Sequence, residues 1–263
     1  MSKKRRLSRV FAQDGKSVTL ALDGYYFSTK TAGVDDTLKS LPVLIEKGLD
    51  CALVTYGMAK NYEAELMNIP IVLRVDSTVN IFDNTVPDTK GVFSVEDALK
   101  IGADGVVCMT FPGAFNEEKT HDLAMKLAQA ADAWNLPLIV ESLPYGYPVT
   151  NSESNSPEVI AAAARIAVEL GADVIKPRFS GTAADRLIVE AAGVPVLALG
   201  GPKTDILSYF EFVQHCMNMG AKGVAVGRNI TQDPKPAHVV AGLHAIIHEN
   251  ATPEDAYGLY MKK

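Results

Sequence analysis

The chain of 263 residues has three cysteines, Cys51, Cys108 and Cys216, too scattered for a disulfide framework or a metal-ligand spacing. Nothing calls for an oxidising compartment, and the cytoplasm is the expected location. No apolar run approaches the roughly 20 residues that span a bilayer, so no membrane partner is expected. Positive charge is short as well. Lysine and arginine number 25 against 31 acidic residues, a net charge of −6 that leaves no basic footprint for nucleic acid. The exception, Lys3-Lys4-Arg5-Arg6 with Arg9, is not followed by the apolar stretch of a signal peptide. It reads as a solvated arm. No cluster of His, Asp and Glu suggests a catalytic metal, and no cofactor is expected.

Two alternating signatures carry the fold. The first is a helix-ending glycine, one small or apolar residue, and then a strand-like run: Gly48-Leu49-Asp50, Gly102-Ala103-Asp104, Gly171-Ala172-Asp173 and Gly220-Ala221-Lys222. The second places a proline at the start of a strand, at Pro70, Pro137 and Pro195, where the ladder has not yet begun. With a first strand at 18–23, this predicts eight strands, at 51–56, 71–75, 105–111, 138–141, 174–179, 196–199 and 223–227 after the first. Helical patterns lie between them. Apolar strands, each followed by an amphipathic helix, read as a buried parallel sheet, and eight such units read as a closed (β/α)₈ TIM barrel in one domain. A doubly wound open sheet is the alternative. It would place Gly-x-Gly-x-x-Gly after the first strand, which here ends Leu22-Asp23-Gly24-Tyr25. The expected layout is an N-terminal arm at 1–17, the barrel at 18–250 and an extra C-terminal helix at 251–263. Thr252 caps that helix, and Pro253, Glu254 and Asp255 form its first turn.

Charges fall where a barrel interior should have none. Alternation puts Lys176 and Arg178 on one face of strand six, Glu141 on the matching face of strand five, Asp23 on strand one, and Arg74 with Asp76 on strand three. An ionised group inside a barrel is costly unless paired or used. Arg74 and Asp76 either point inward or form a structural salt bridge in the helix layer. A partly buried lysine beside a second cation, here Arg178, loses its proton more readily and attacks a ketone or aldehyde. Glu141 is placed as general acid/base, and Asp23 to orient the lysine or bind hydroxyls. Arg74 and Arg178 are further candidates for holding a phosphorylated substrate. After strand seven stands Gly200-Gly201, and after strand eight Gly227-Arg228-Asn229. Loops at these two places form the usual phosphate site of such barrels. The expected ligand is therefore a small phosphorylated carbonyl compound.

The run Gly171 to Lys176, the segment Val194 to Thr204 and the segment Gly223 to Asn229 resemble the archaeal-type class I fructose-bisphosphate aldolases, beside the deoxyribose-phosphate and tagatose-bisphosphate aldolases. The likeness runs from Leu20 to about His248. It implies a (β/α)₈ barrel, Lys176 as the Schiff-base lysine, phosphate bound by Gly200, Gly201, Gly227 and Arg228, and a homo-oligomer, often a decamer in this group. Two departures stand out. The family's Asp-His-Gly after strand one is Asp23-Gly24 here, and its catalytic tyrosine after strand five is Leu143. Glu141 would take that tyrosine's place, as a glutamate on this strand does in the tagatose-type enzymes; Tyr145 and Tyr147 are the alternatives. The implied function is a class I aldolase acting on a phosphorylated ketose. The other readings are a lysine-dependent C–C or acyl transferase of the same family and a catalytically degenerate phosphosugar-binding scaffold.

Overall fold

A computed structural model of the chain describes residues 1–27, 33–77, 88–147 and 151–262. Most of the segment 77–91, which the strand pattern leaves as a long loop after strand three, and part of 145–155 after strand five lie outside the described residues. The eight strands are β1 (Ser17–Ala21), β2 (Cys51–Val54), β3 (Ile71–Arg74), β4 (Gly105–Thr110), β5 (Leu138–Ser142), β6 (Val174–Ile175), β7 (Ala198–Leu199) and β8 (Gly223–Val226). Each of β1 to β5 pairs in parallel with the next in sequence, β7 pairs with β8, and β8 returns to β1. A parallel bridge between Ile175 and Val196 joins the two remaining edges and closes the (β/α)₈ barrel. Strands β6 and β7 are shorter than expected. Pro177 and Pro195 have no N–H to donate, so the seam lacks their two ladder bonds and is held by Ile175 N to Pro195 O at 3.0 Å, and by Leu197 N to Ile175 O and Leu199 N to Pro177 O at 2.9 Å.

Alternation divides the strand residues cleanly. Val18, Leu20, Ala52, Val54, Leu73, Val106, Val140, Ile175 and Val224 pack outward against the helices. Cys51, Leu53, Val72, Val107, Ile139, Val174 and Leu197 form a separate cluster inside the barrel. That inner cluster is completed from outside the sheet, by Val10 and Phe11 at the end of the helix Lys3–Val10.

The basic N-terminal run is thus not a solvated arm. It forms an amphipathic helix that stops the open floor of the barrel. Its cations meet the aspartates of the glycine-led repeat. Lys3 Nζ pairs with Asp173 at 2.7 Å and also with Asp132, Arg9 Nε reaches Asp104 at 3.0 Å, and Arg6 Nη1 donates to Ala103 O at 3.2 Å. The same aspartates complete the sheet: Asp173 accepts from Leu138 N at 2.9 Å and Asp50 from Val18 N at 2.7 Å. Charges on opposite sides of the floor come together only once the ring is closed. The C-terminal helix, Pro253–Met261, forms with Thr252 as its N-cap, as expected, and Asp255 completes a capping box with it.

Asp50 also takes part in a staple. His248, on the helix Pro236–Glu249, faces Asp14 through Nδ1 at 2.9 Å and Asp50 through Nε2 at 3.0 Å. Burial opposes the imidazolium, but the two carboxylates outweigh it and raise the histidine above its ordinary value. With a carboxylate at each nitrogen, these contacts favour the protonated ring, which donates from both.

Two outcomes follow. Phe11→Ala should cost about 3–5 kcal/mol in urea unfolding, the usual loss for emptying a buried phenylalanine site. A change under 1 kcal/mol would mean that the helix is not a stopper. The raised histidine contributes stability that is complete below about pH 6.5, its unfolded value. That contribution is lost as pH rises through the higher folded value. Unfolding midpoints of the parent chain should therefore fall across this alkaline window more steeply than those of His248→Gln, and parallel curves would dismiss the staple.

Candidate active site

The C-terminal ends of the strands open into a cleft of about 240 Å³, lined by Asp23, Met109, Glu141, Leu143, Lys176, Leu199, Gly200, Gly201, Gly227 and Arg228, with Tyr25 and Tyr147 at its edge. Of the site residues expected from sequence, Lys176, Glu141, Asp23, Gly200, Gly201, Gly227 and Arg228 line this one space. Arg74 and Arg178 do not.

Lys176 follows directly on β6 and is 3 % exposed; Glu141 lies within β5 and is 4 % exposed. Their side chains meet, Nζ to Oε2 at 2.9 Å. Arg74, at the end of β3, points inward, which resolves its two open orientations. Its Nε reaches Asp23 Oδ2 at 2.5 Å, its Nη1 reaches Asp76 Oδ1 at 2.9 Å, and its Nη2 makes a close ion pair with the same Glu141 oxygen that Lys176 holds. Asp76 is clamped from behind, accepting the Met109 backbone N–H at 2.7 Å. Three carboxylates thus share two cations in a buried network. Burial pushes the Asp76 carboxyl above its ordinary range, against the pull of Arg74 and the Met109 amide. Burial acts on Glu141 in the same sense, but there Lys176 and Arg74 together prevail and hold it below the usual glutamate value. An ionised Glu141 beside Lys176 is equipped to move protons at a carbonyl substrate.

Arg178 departs from expectation. It shares the inward parity of Lys176, yet its guanidinium donates to Gly146 O at 2.9 Å and to Pro144 O and Ser154 O at 3.5 Å. It ties down the segment after β5 rather than standing in the cleft. Lys176 therefore faces a carboxylate, not the second cation that spacing suggested. Burial lowers the Arg178 value, and Glu141 partly offsets this. Arg74, expected to hold phosphate, is likewise engaged by carboxylates.

The opposite end of the cleft is built from backbone. A Cβ on Gly200 would lie 2.8 Å from Ala225 O, which excludes a side chain there, and one on Gly227 would lie 3.0 Å from Ala21 O, a tight fit. The Gly200 amide donates to Ala225 O at 2.9 Å, so Gly200 shapes this end by its missing side chain rather than by a free N–H. Arg228 is exposed there and donates to Gly201 O at 3.2 Å. Asn229 is a residue the sequence reading quoted without assigning. Its buried amide donates to Gly200 O at 3.0 Å and Pro202 O at 2.9 Å, and its oxygen accepts from Thr204 N at 3.2 Å. It fastens the β7 loop to the β8 loop. Among the described residues, no group of three or more His, Cys, Asp and Glu side chains is disposed to hold a metal ion.

The family model for DeoC/LacD family aldolases matches residues 28–233 of the chain. The "Fructose-bisphosphate aldolase class 1" of Thermoproteus tenax is 34% identical over 85% of this chain and 86% of its own length. The "3-hydroxy-5-phosphonooxypentane-2,4-dione thiolase" of Yersinia enterocolitica is 28% identical over 97% of this chain and 86% of its own. Among solved structures, an archaeal fructose-1,6-bisphosphate aldolase with its catalytic Lys covalently bound to the carbinolamine intermediate superposes with a TM-score of 0.82. It is 31% identical, and the match covers 94% of this chain and 99% of that one.

Proposed function

The chain belongs to the DeoC/LacD family of aldolases, and on that premise we propose that it makes or breaks a carbon–carbon bond in a phosphorylated ketose through a Schiff base on Lys176. The observation that carries this reading is the contact between Lys176 Nζ and Glu141 Oε2, buried at the mouth of the barrel. Lys176 passes its proton to Glu141 and attacks the substrate carbonyl. Glu141 returns that proton to the carbinolamine hydroxyl, which leaves as water, so the carboxylate is restored and the lysine nitrogen becomes an iminium. The Glu141 carboxylate then takes the proton of the hydroxyl on the far carbon of the bond that breaks. The electron pair of that bond moves into the iminium, an aldehyde leaves, and the lysine-bound enamine remains. Asp23, in the cleft and tied to Arg74, is suited to hold substrate hydroxyls.

The phosphate is assigned to the far end, against Gly201, Gly227 and Arg228, with Gly200 supplying the close wall. A charge-assisted bond from Arg228 fits that place. The substrate itself is left open by Leu143, which stands in the cleft where the fructose-bisphosphate enzymes of this group carry a tyrosine. The likeness to the thiolase supports a second reading on the same lysine, transfer of an acyl group from a phosphorylated dicarbonyl. We further place the protein in the cytoplasm as a homo-oligomer, with the N-terminal helix, barrel and C-terminal helix as one folding unit. No helix among the described residues is long and apolar enough to cross a membrane.

Borohydride reduction in the presence of a panel of phosphorylated ketoses and diketones should add substrate mass to the Lys176 peptide alone. Labelling at Lys203 instead would remove the assignment. Glu141→Gln should lower kcat for cleavage by about 10²–10⁴, the usual worth of a positioned acid/base, while trapping at Lys176 survives in part. If Tyr145→Phe or Tyr147→Phe abolishes cleavage and Glu141→Gln does not, the tyrosine alternative is right.

Arg228→Ala should raise KM for the phosphorylated substrate at least tenfold, a loss of about 1.4 kcal/mol or more in binding. Trapping of a small unphosphorylated carbonyl should stay as in the parent. An unchanged KM would move the phosphate elsewhere.

A further inference from the structure

Arg74 is not part of the cleft wall, yet it touches both carboxylates that are. Its guanidinium is shared three ways, Nε on Asp23, Nη1 on Asp76 and Nη2 on Glu141. On Asp23 and Glu141 the contact is to one oxygen only, Oδ2 and Oε2. The second oxygen of each makes no hydrogen bond among the described residues, and both residues line the cleft. The fork cannot swing, because Asp76 holds it from the side away from the cleft and is itself fixed by the Met109 amide at 2.7 Å. Met109 in turn is part of the cleft wall, so the fork is braced by the same strand that shapes the site.

We propose that Arg74, braced by Asp76, is a positioning residue for proton transfer: it sets the stance of Asp23 and Glu141 toward substrate and holds a fixed positive charge against Glu141 whatever the charge on the Lys176 nitrogen. The inference rests on the aldolase reading of Lys176 and Glu141. Its physical basis is a change of partner during turnover. The ammonium of Lys176 supports the Glu141 charge at rest. When that nitrogen is a free amine or an enamine, Glu141 carries the proton, and Arg74 is the cation still in contact, so the carboxyl gives that proton up readily in the next step. A guanidinium does not release its proton at any working pH, so its support is constant. Among the described residues, the groups that face this fork include Asp23 from the end of β1, Asp76 from beyond β3, Glu141 from β5 and, through Glu141, Lys176 from β6. The buried Cys108 thiol of β4 and Arg178 lie within electrostatic reach. Burial pushes the Cys108 thiol well up, so it stays neutral.

The test uses the whole chain and the ketose that traps best on Lys176. Arg74→Lys keeps a positive charge but loses the three-way fork. Trapping should persist and KM change little, while kcat for cleavage falls roughly tenfold or more, part of the 10²–10⁴ that a positioned acid/base supplies. The acid limb of the pH–kcat profile should climb by about one unit or more, because losing a close cation makes Glu141 harder to ionise. Asp76→Asn removes an anion near Glu141 and should move the same limb the other way, to lower pH. In a Glu141→Gln background, Arg74→Lys should add little further loss, since it acts through Glu141. Unmoved limbs with a lowered Tm, or fully additive losses in the double variant, would make Arg74 a structural ion-pair partner and overturn the proposal. Should Arg74→Lys fail to fold, the direction of the Asp76→Asn limb decides alone. If the parent chain traps no substrate at all, the aldolase reading fails first and takes this inference with it.

Discussion

Everything in this molecule hangs on the alternation of side chains along parallel strands that close into a ring. In an open sheet both faces are packed by helices, and a charged residue can be passed to solvent at an edge. A closed barrel has no edge, and every second residue of eight strands shares one enclosed volume. Its lower part is filled by Cys51, Leu53, Val72, Val107, Ile139, Val174 and Leu197, with Val10 and Phe11 as the stopper. Its upper part cannot be filled that way, because the same parity delivers Asp23, Arg74, Asp76, Glu141 and Lys176 to one place. Ionised groups so buried persist only if they neutralise one another, and these do so through a single shared guanidinium and one lysine.

The two ends of the barrel handle charge in opposite ways. At the floor, each aspartate of the repeat accepts a backbone N–H or a salt bridge that locks strands and terminal helix together, as Asp50, Asp104 and Asp173 do. Those pairs are partly open to water and hold architecture. At the mouth, the pairs are buried, and among the described residues one oxygen of each cleft carboxylate accepts no hydrogen bond. Such a group carries a cost to stability that is repaid only when something else is bound to it, which is why ion networks of this kind mark working sites.

Much of this was legible beforehand. The strand count, the barrel and the C-terminal helix follow from glycine and proline at fixed places, which constrain the backbone locally and so can be seen locally. Lys176 and Glu141 stood out because parity is a property of the strand alone. What could not be seen depends on long side chains and on distant partners. Arg178 has the parity of Lys176, but parity gives a face and not a reach, and the carbonyls of Pro144, Gly146 and Ser154 converge on it only after folding. The helix Lys3–Val10 looked like a solvated run because its counter-ions, Asp104, Asp132 and Asp173, are about a hundred residues or more away. Asn229 offered only a weak signal, a small polar residue after Gly-Arg, and its work lies wholly in contacts across two loops.

The charge balance of the mouth also bears on the chemistry proposed for it. At rest, Lys176 and Glu141 form a pair of zero net charge. When the lysine becomes an iminium, its charge is unchanged, so the contacts that hold the ammonium also suit the intermediate. When the carbon–carbon bond breaks, the iminium becomes a neutral enamine as Glu141 becomes a neutral acid, and the pair still sums to zero. The surrounding charges, Arg74 with Asp23 and Asp76, therefore meet the same total at each stage and need not rearrange. A buried site of low polarity cannot reorient to follow a changing net charge, as water would. One whose net charge never changes has no need to, and its fixed groups act as a preorganised environment throughout the cycle.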